Sequence, residues 1–212
     1  GDFIWHLGPF RVRSLAHRLA RRYPVPYLMW VSSRSTKAAY GFKLLFGHVE
    51  SPQHTVSHLN RQNWQIIHIQ RRCLFDAAIS RSVAFVTHHF GEYAPSTHMD
   101  GLCIEIPPSK LIRQVQHCIK IRRGELLALT GIPHISVTYE VDLCSEIDRN
   151  RICSVIFNAL HVEPYQVSTA RERSWNRPYR ELVTNYAELH ELMQSEQGME
   201  WQAAWDILFE DE

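Results

Sequence analysis

Ile66-Ile-His-Ile-Gln-Arg-Arg-Cys-Leu-Phe-Asp-Ala-Ala-Ile-Ser80 is the stretch on which the reading of the fold turns. Residues 64–69, WQIIHI, are a short run enriched in β-branched residues, of the kind that forms a buried strand of a parallel sheet. Gln70, Arg71 and Arg72 then turn the chain. Leu74, Ala77, Ala78, Val83 and Val86 follow at spacings that give a helix one buried side. In an open α/β sheet, ligands bind beyond the carboxyl ends of the strands, where the following helix presents its positive N-terminal end. Arg72 stands at that point. Its guanidinium offers a planar fork for phosphate oxygens, and the hydroxyl of Ser80, two helical turns onward, can donate to the same group. The residues alone leave a second reading open, in which Arg72 pairs with Asp76 across the first turn of the helix.

On either side the pattern alternates. Residues 40–46, YGFKLLF, and 133–139, PHISVTY, read as further buried strands. A long helix is expected over 109–129, with Ser109 as N-cap and Gly131 just past its end. Another is expected over 145–160, with Ile147, Ile152, Ile156 and Leu160 as its apolar seam. Residues 180–208 read as helical with a break near Gly198. Upstream, residues 10–22 read as a basic amphipathic helix ended by Pro24 and Pro26. Its arginines make either a solvated face or a surface for an anionic acceptor or partner. Residues 91–108, rich in Gly, Pro, Ser and Thr, read as a long loop that can bind an acceptor. Strand and helix in alternation predict an α/β fold with a parallel sheet and right-handed crossovers.

Composition bounds the rest. With 212 residues, 45% of them hydrophobic, the chain can bury a full core and is read as one domain over 1–212. Twenty-three Lys and Arg against 22 Asp and Glu give a formal charge of +1. No global field therefore points to nucleic acid as a partner, and any anion site must be local. The five cysteines are odd in number and form no CxxC pair, which argues for reduced thiols in a cytoplasmic compartment. No run reaches the ~18 apolar residues of a membrane span. His88 and His89 are neighbours and cannot face one point on a helix, so no metal is expected.

Arg72, Asp76 and Ser80, spaced Arg-x3-Asp-x3-Ser after a strand, match the segment that binds the 3′-phosphate in 3′-phosphoadenosine 5′-phosphosulfate-dependent sulfotransferases. Three more blocks resemble the bacterial members of that family. YGFKLLF resembles a Gly-Phe-Lys strand, ISVTYEVDL a Val-Ser-Tyr-Glu-Asp-Leu strand end with Val141 as an extra residue, and RPYRELVTNYAEL a C-terminal Leu-Arg-Glu-Leu-Ile-Asn-Tyr-Asp-Glu-Leu stretch. Together they cover about residues 40–190.

The resemblance implies a P-loop-like parallel sheet flanked by helices, with a helical C-terminal segment. It implies transfer of a sulfuryl group from 3′-phosphoadenosine 5′-phosphosulfate to a hydroxyl or amine of a carbohydrate, lipid or small-molecule acceptor, leaving adenosine 3′,5′-bisphosphate, with no metal. Arg72 and Ser80 would then bind the 3′-phosphate, and Tyr139 would lie near the adenine. Arg177 is either a second phosphate contact or a surface residue. His48, just past the block 40–46, is the candidate base, with an ordinary loop histidine as its alternative. Lys43 either pairs with a structural carboxylate or faces the leaving phosphate.

The family's loop for the 5′-phosphosulfate has no clear counterpart. Residues 29–37, MWVSSRSTK, come nearest, without the glycine a tight turn wants. The domain is accordingly expected to be incomplete at its N-terminus, or to have lost the loop and to serve as a catalytically inactive binding module. The acceptor and the oligomeric state are not legible. Trp201 and Trp205 mark either a packed tail or an interface.

Overall fold

A computed structural model of the chain describes residues 24–34, 41–46, 49–87, 102–166 and 178–210. The expected helix over 10–22, His48, His88, His89, residues 91–101 and Arg177 lie outside these. In chain order the elements are α1 (Pro24–Ser32), α2 (Pro52–Arg61), β1 (Ile67–Gln70), α3 (Leu74–Thr87), α4 (Pro108–Leu129), β2 (Ile135–Thr138), a π-helical turn (Tyr139–Leu143), α5 (Glu146–Ala159), α6 (Tyr179–Leu182), α7 (Tyr186–Gln194) and α8 (Glu196–Glu210). The fold is mixed α/β and mostly helical, with a small parallel sheet of β1 and β2 and a helical C-terminus.

Two compact units divide the chain. One takes residues 1–68, 124–136 and 153–164, and the other 69–123, 137–152 and 165–212. In the first, Val56 of α2 packs with Leu129 and Ile132, and with the half-buried Leu44 and Ile66. Phe42 meets Trp64 edge-on at 5.3 Å. A glycine in a helix interior costs about 1 kcal/mol relative to alanine, and Gly124 has a reason to stand there. The Phe46 ring lies so close that an added Cβ would sit 2.4 Å from it.

The second unit holds the larger core. Leu74, Ala78, Ile79 and Val83 of α3 bury one side, as their spacing predicts, with Ala77 and Val86 at its margin. Leu111, Val115 and Cys118 form the matching stripe on α4. The same stripe continues to Arg122, which is only 2% exposed. Its guanidinium donates to the carbonyl of Leu208 at 3.3 Å and lies 4.5 Å from the centre of the Phe209 ring, which sets the cation against the end of α8. Residues 104–106 run beside the chain after α6. Ile104 bridges Val183 in parallel, and the Asn185 side chain bonds both the N–H and the C=O of Ile106, at 3.1 and 2.9 Å.

Several expectations need correction. Residues 41–45 are irregular and Phe46 lies in a 3₁₀ turn, so 40–46 is not a strand among the described residues. The inside-outside alternation is there, but the inward Phe42, Leu44 and Phe46 anchor on a helix or a ring, with no neighbouring strand among the described residues. In β1 the apolar residues face outward, Ile67 at 37% and Ile69 at 60% exposed, while His68 and Gln70 point in. Each of the two buried side chains has a polar partner. His68 meets Glu125 at 3.4 Å, and Gln70 donates to Thr138 Oγ1 at 3.5 Å.

Proline shifts two boundaries. Its fixed φ and missing N–H suit the first helical turn, so α4 begins at Pro108, ahead of Ser109, and Pro24 and Pro26 lie in the first turn of α1. Gly131 follows α4 at φ +71°, as a helix stop should. In α5, Ile152 is buried but Ile147 is 82% exposed, so the seam begins later than its spacing suggests. The C-terminal break falls at Ser195, whose hydroxyl caps α8 by accepting the N–H of Gly198 at 3.3 Å.

Candidate functional site

The turn joining β1 to α3 carries Arg71, Arg72 and Cys73, all in the second unit. A helix start leaves backbone N–H groups without partners inside the helix. Here they are met from two directions. Cys73 caps α3: its carbonyl accepts the Ala77 N–H at 3.1 Å and its Sγ accepts the Asp76 N–H at 3.5 Å. The Asp76 carboxylate faces back onto the thiol, so the Cys73 side chain supplies one half of a capping box, with sulfur in the hydroxyl's place, while the Cys73 N–H is left for another acceptor. Burial raises the thiol pKa. The Asp76 N–H opposes that rise, while the Asp76 and Glu140 carboxylates add to it.

Glu140 supplies the second cap from the far side of the sequence. Its Oε2 accepts the Arg72 N–H at 2.8 Å, and its Oε1 accepts the Cys73 N–H at 3.3 Å. A carboxylate is favoured there, since the N-terminal end of α3 carries partial positive charge. Glu140 belongs to the π-helical turn Tyr139–Leu143. A π turn closes its hydrogen bonds over one residue more than an α turn. That gives room to Val141, which bulges into solvent at 50% exposure. Glu140 and Asp142 on either side remain engaged. Asp142 accepts the Thr138 N–H at 2.7 Å and the Arg151 guanidinium at 2.9 Å.

The side chains of the turn are then free to point outward. The Arg72 guanidinium is exposed and has no hydrogen bond or ion pair among the described residues, so the Arg72–Asp76 pair left open by the sequence is not formed. Arg71 stacks on Tyr139, its guanidinium carbon 4.5 Å from the ring centre. Ser80 lies one turn beyond Asp76 on the same face of α3, half-buried, with its hydroxyl unbonded among the described residues. Phe75, Tyr186 and His190 cluster nearby, Phe75 meeting the two rings at 5.4 and 5.5 Å. Burial raises the Tyr186 pKa, with Asp76 and Cys73 adding to the rise and Arg180 opposing it.

Beneath the turn, the indole Nε1 of Trp205 donates to the Arg72 carbonyl at 2.7 Å. Trp205 is 4% exposed, which resolves it as part of a packed tail. Of the residues singled out from sequence, Arg72, Ser80 and Tyr139 therefore fall within one unit, with Tyr139 tied to the β1–α3 turn through its neighbour Glu140. Lys43 belongs to the other unit and is exposed, with no ion pair to a carboxylate among the described residues. Glu140, Trp205 and Arg71 were given no role in the site. The position of Glu140 in a strand-end block was the only local signal for any of them. Among the described residues, no group of three or more His, Cys, Asp or Glu is arranged to hold a metal ion, and no helix is long and apolar enough to cross a membrane.

Compared with protein-family models, curated proteins and solved structures, the chain matches none.

Proposed function

We propose that the chain is a sulfotransferase-type domain that binds the 3′-phosphate of 3′-phosphoadenosine 5′-phosphosulfate through Arg72 and Ser80 and serves transfer of the sulfuryl group to a hydroxyl or amine acceptor. The observation that carries this reading is the double hydrogen bond from Glu140 to the backbone of Arg72 and Cys73. Two sequence blocks that resemble parts of one nucleotide site, and that lie far apart in the chain, meet at that point. The exposed Arg72 fork, the unbonded Ser80 hydroxyl and the half-buried Tyr139 supply a cation, a donor and an aromatic face of the types a phosphorylated nucleoside needs. A P-loop-like sheet wider than the β1–β2 pair belongs to this proposal.

In the reaction, the acceptor oxygen or nitrogen would bond to sulfur as the bond from sulfur to the 5′-phosphate oxygen breaks. The acceptor's proton would pass to a base, for which His48 is the candidate, and adenosine 3′,5′-bisphosphate would leave with the electron pair. Lys43 is the candidate for neutralising charge on the departing phosphate. A carbohydrate, lipid or small-molecule acceptor and a cytoplasmic location are part of the same proposal.

The second reading, a binding module without transferase activity, has its own support. The segment nearest in sequence to a 5′-phosphosulfate loop begins inside a helix, since Met29 to Ser32 complete α1. Two measurements test these readings, the first the site they share and the second the difference between them. Thermal shift with adenosine 3′,5′-bisphosphate on the wild type and on Arg72→Ala tests the phosphate site, and equal stabilisation of both, or of neither, removes it. Transfer of radiolabelled sulfate from 3′-phosphoadenosine 5′-phosphosulfate to an acceptor panel supports the enzyme. Binding with no transfer to any acceptor supports the module.

A further inference from the structure

The Arg72 residue is held at both ends of its backbone. Its N–H goes to Glu140 at 2.8 Å, and its C=O receives the Trp205 indole at 2.7 Å. The Arg72 carbonyl precedes the α3 ladder, in which Cys73 supplies the first accepting carbonyl, so it needs a partner from elsewhere. A buried indole N–H needs one too. Trp205 is anchored in the core, with Phe209 beside it at 5.7 Å. Pinning both polar groups of Arg72 fixes the direction of its Cα–Cβ bond, and a long cationic side chain aimed in advance loses less freedom when it closes on an anion.

We propose that Trp205 is a positioning residue for the Arg72 anion site, so that α8 tunes affinity for the phosphate of a nucleoside 3′-phosphate without touching it. This rests on the reading of Arg72 as a phosphate ligand. The effect of Trp205 on affinity passes through Arg72, which separates it from a residue that merely packs the core.

The test is a double-mutant cycle read by calorimetric titration with adenosine 3′,5′-bisphosphate, on the wild type, Trp205→Phe, Arg72→Ala and the double variant. Trp205→Phe weakens binding by about fivefold to tenfold in the wild-type background, the coupling expected of residues in direct contact, and has no further effect once Arg72 is alanine. Equal weakening in both backgrounds, or none in either, overturns the positioning role. If Trp205→Phe does not fold, the wild type still answers. Its Trp205 indole N–H resonance shifts on adding the bisphosphate, whereas in Arg72→Ala it stays fixed at every concentration. A resonance that stays still while the wild type binds overturns the proposal but leaves the phosphate site standing. A wild type that does not bind the bisphosphate overturns both.

Discussion

The Glu140 carboxylate and the Arg72 backbone N–H meet at 2.8 Å across 68 positions of sequence. Because the same carboxylate also holds the Cys73 N–H, it fills the place at the start of α3 where a helix would otherwise offer its amides to an anion. A phosphate at this turn therefore relies on the side chains of Arg72 and Ser80, since the Arg72, Cys73 and Asp76 amides are already committed.

Removing that carboxylate destabilises the unit. Glu140→Ala leaves two helix-start N–H groups without their acceptor and costs about 1–2 kcal/mol. Glu140→Gln keeps one acceptor oxygen and costs less. Urea denaturation checks both, with a lowered midpoint and an unchanged slope expected for each. A Glu140→Ala midpoint equal to that of the wild type refutes the cap.

The adjacent arginines separate cleanly. Arg72→Ala removes an exposed side chain with no partner among the described residues, so stability changes by no more than about 0.5 kcal/mol, while stabilisation by adenosine 3′,5′-bisphosphate falls sharply without vanishing. Arg71→Ala gives up its stacking on Tyr139, worth about 0.5–1 kcal/mol, and keeps most of the ligand-induced thermal shift. If Arg71→Ala abolishes the shift and Arg72→Ala preserves it, the phosphate belongs to Arg71.

Asn185 performs the work of a strand rung with a side chain. Ile106 is fully buried, and its N–H and C=O both depend on the Asn185 amide. Asn185→Ala orphans two buried backbone groups and costs about 2–3 kcal/mol. Asn185→Asp retains an acceptor for the Ile106 N–H but offers its C=O no donor, and it sets a second carboxylate beside Glu188, whose Oε2 Asn185 now donates to at 3.2 Å. Chemical denaturation should order the three as wild type, then Asp, then Ala, and an Asn185→Ala protein as stable as the wild type would contradict this.

How far these features were legible follows from the distance over which they act. The helices α3 and α4 declare themselves through an apolar repeat that their own residues carry, and Gly131 marks the end of α4 by a conformation that favours glycine. The strands are less legible. Ile67 and Ile69 look like core residues, yet they face outward because His68 and Gln70 find polar partners on Glu125 and Thr138, which the local pattern does not reveal. Arg122 lies on the apolar stripe of α4 and would be taken for a misplaced charge. It is explained by the end of α8, 86 positions away. The site divides in the same way. Arg72 and Ser80 are visible because strand, turn and helix are contiguous, whereas Glu140 and Trp205 act on Arg72 only after the chain has returned to it.

Cys73 offers a chemical readout of the same turn. Burial, together with the nearby Asp76 and Glu140 carboxylates, raises its pKa, and a raised pKa means less thiolate at any given pH. Alkylation by iodoacetamide at neutral pH should therefore reach the exposed Cys103 and Cys144 first, with Cys73 trailing and its rate rising only toward more alkaline pH. Asp76→Asn removes a charge that favours the protonated thiol while leaving the backbone N–H that favours the thiolate. The Cys73 rate profile accordingly moves to lower pH in that variant. Mass spectrometry of the alkylated peptides resolves each cysteine separately. A Cys73 that reacts as fast as Cys144 in the wild type, or a profile that Asp76→Asn displaces upward, would show that Asp76 does not govern the thiol capping α3.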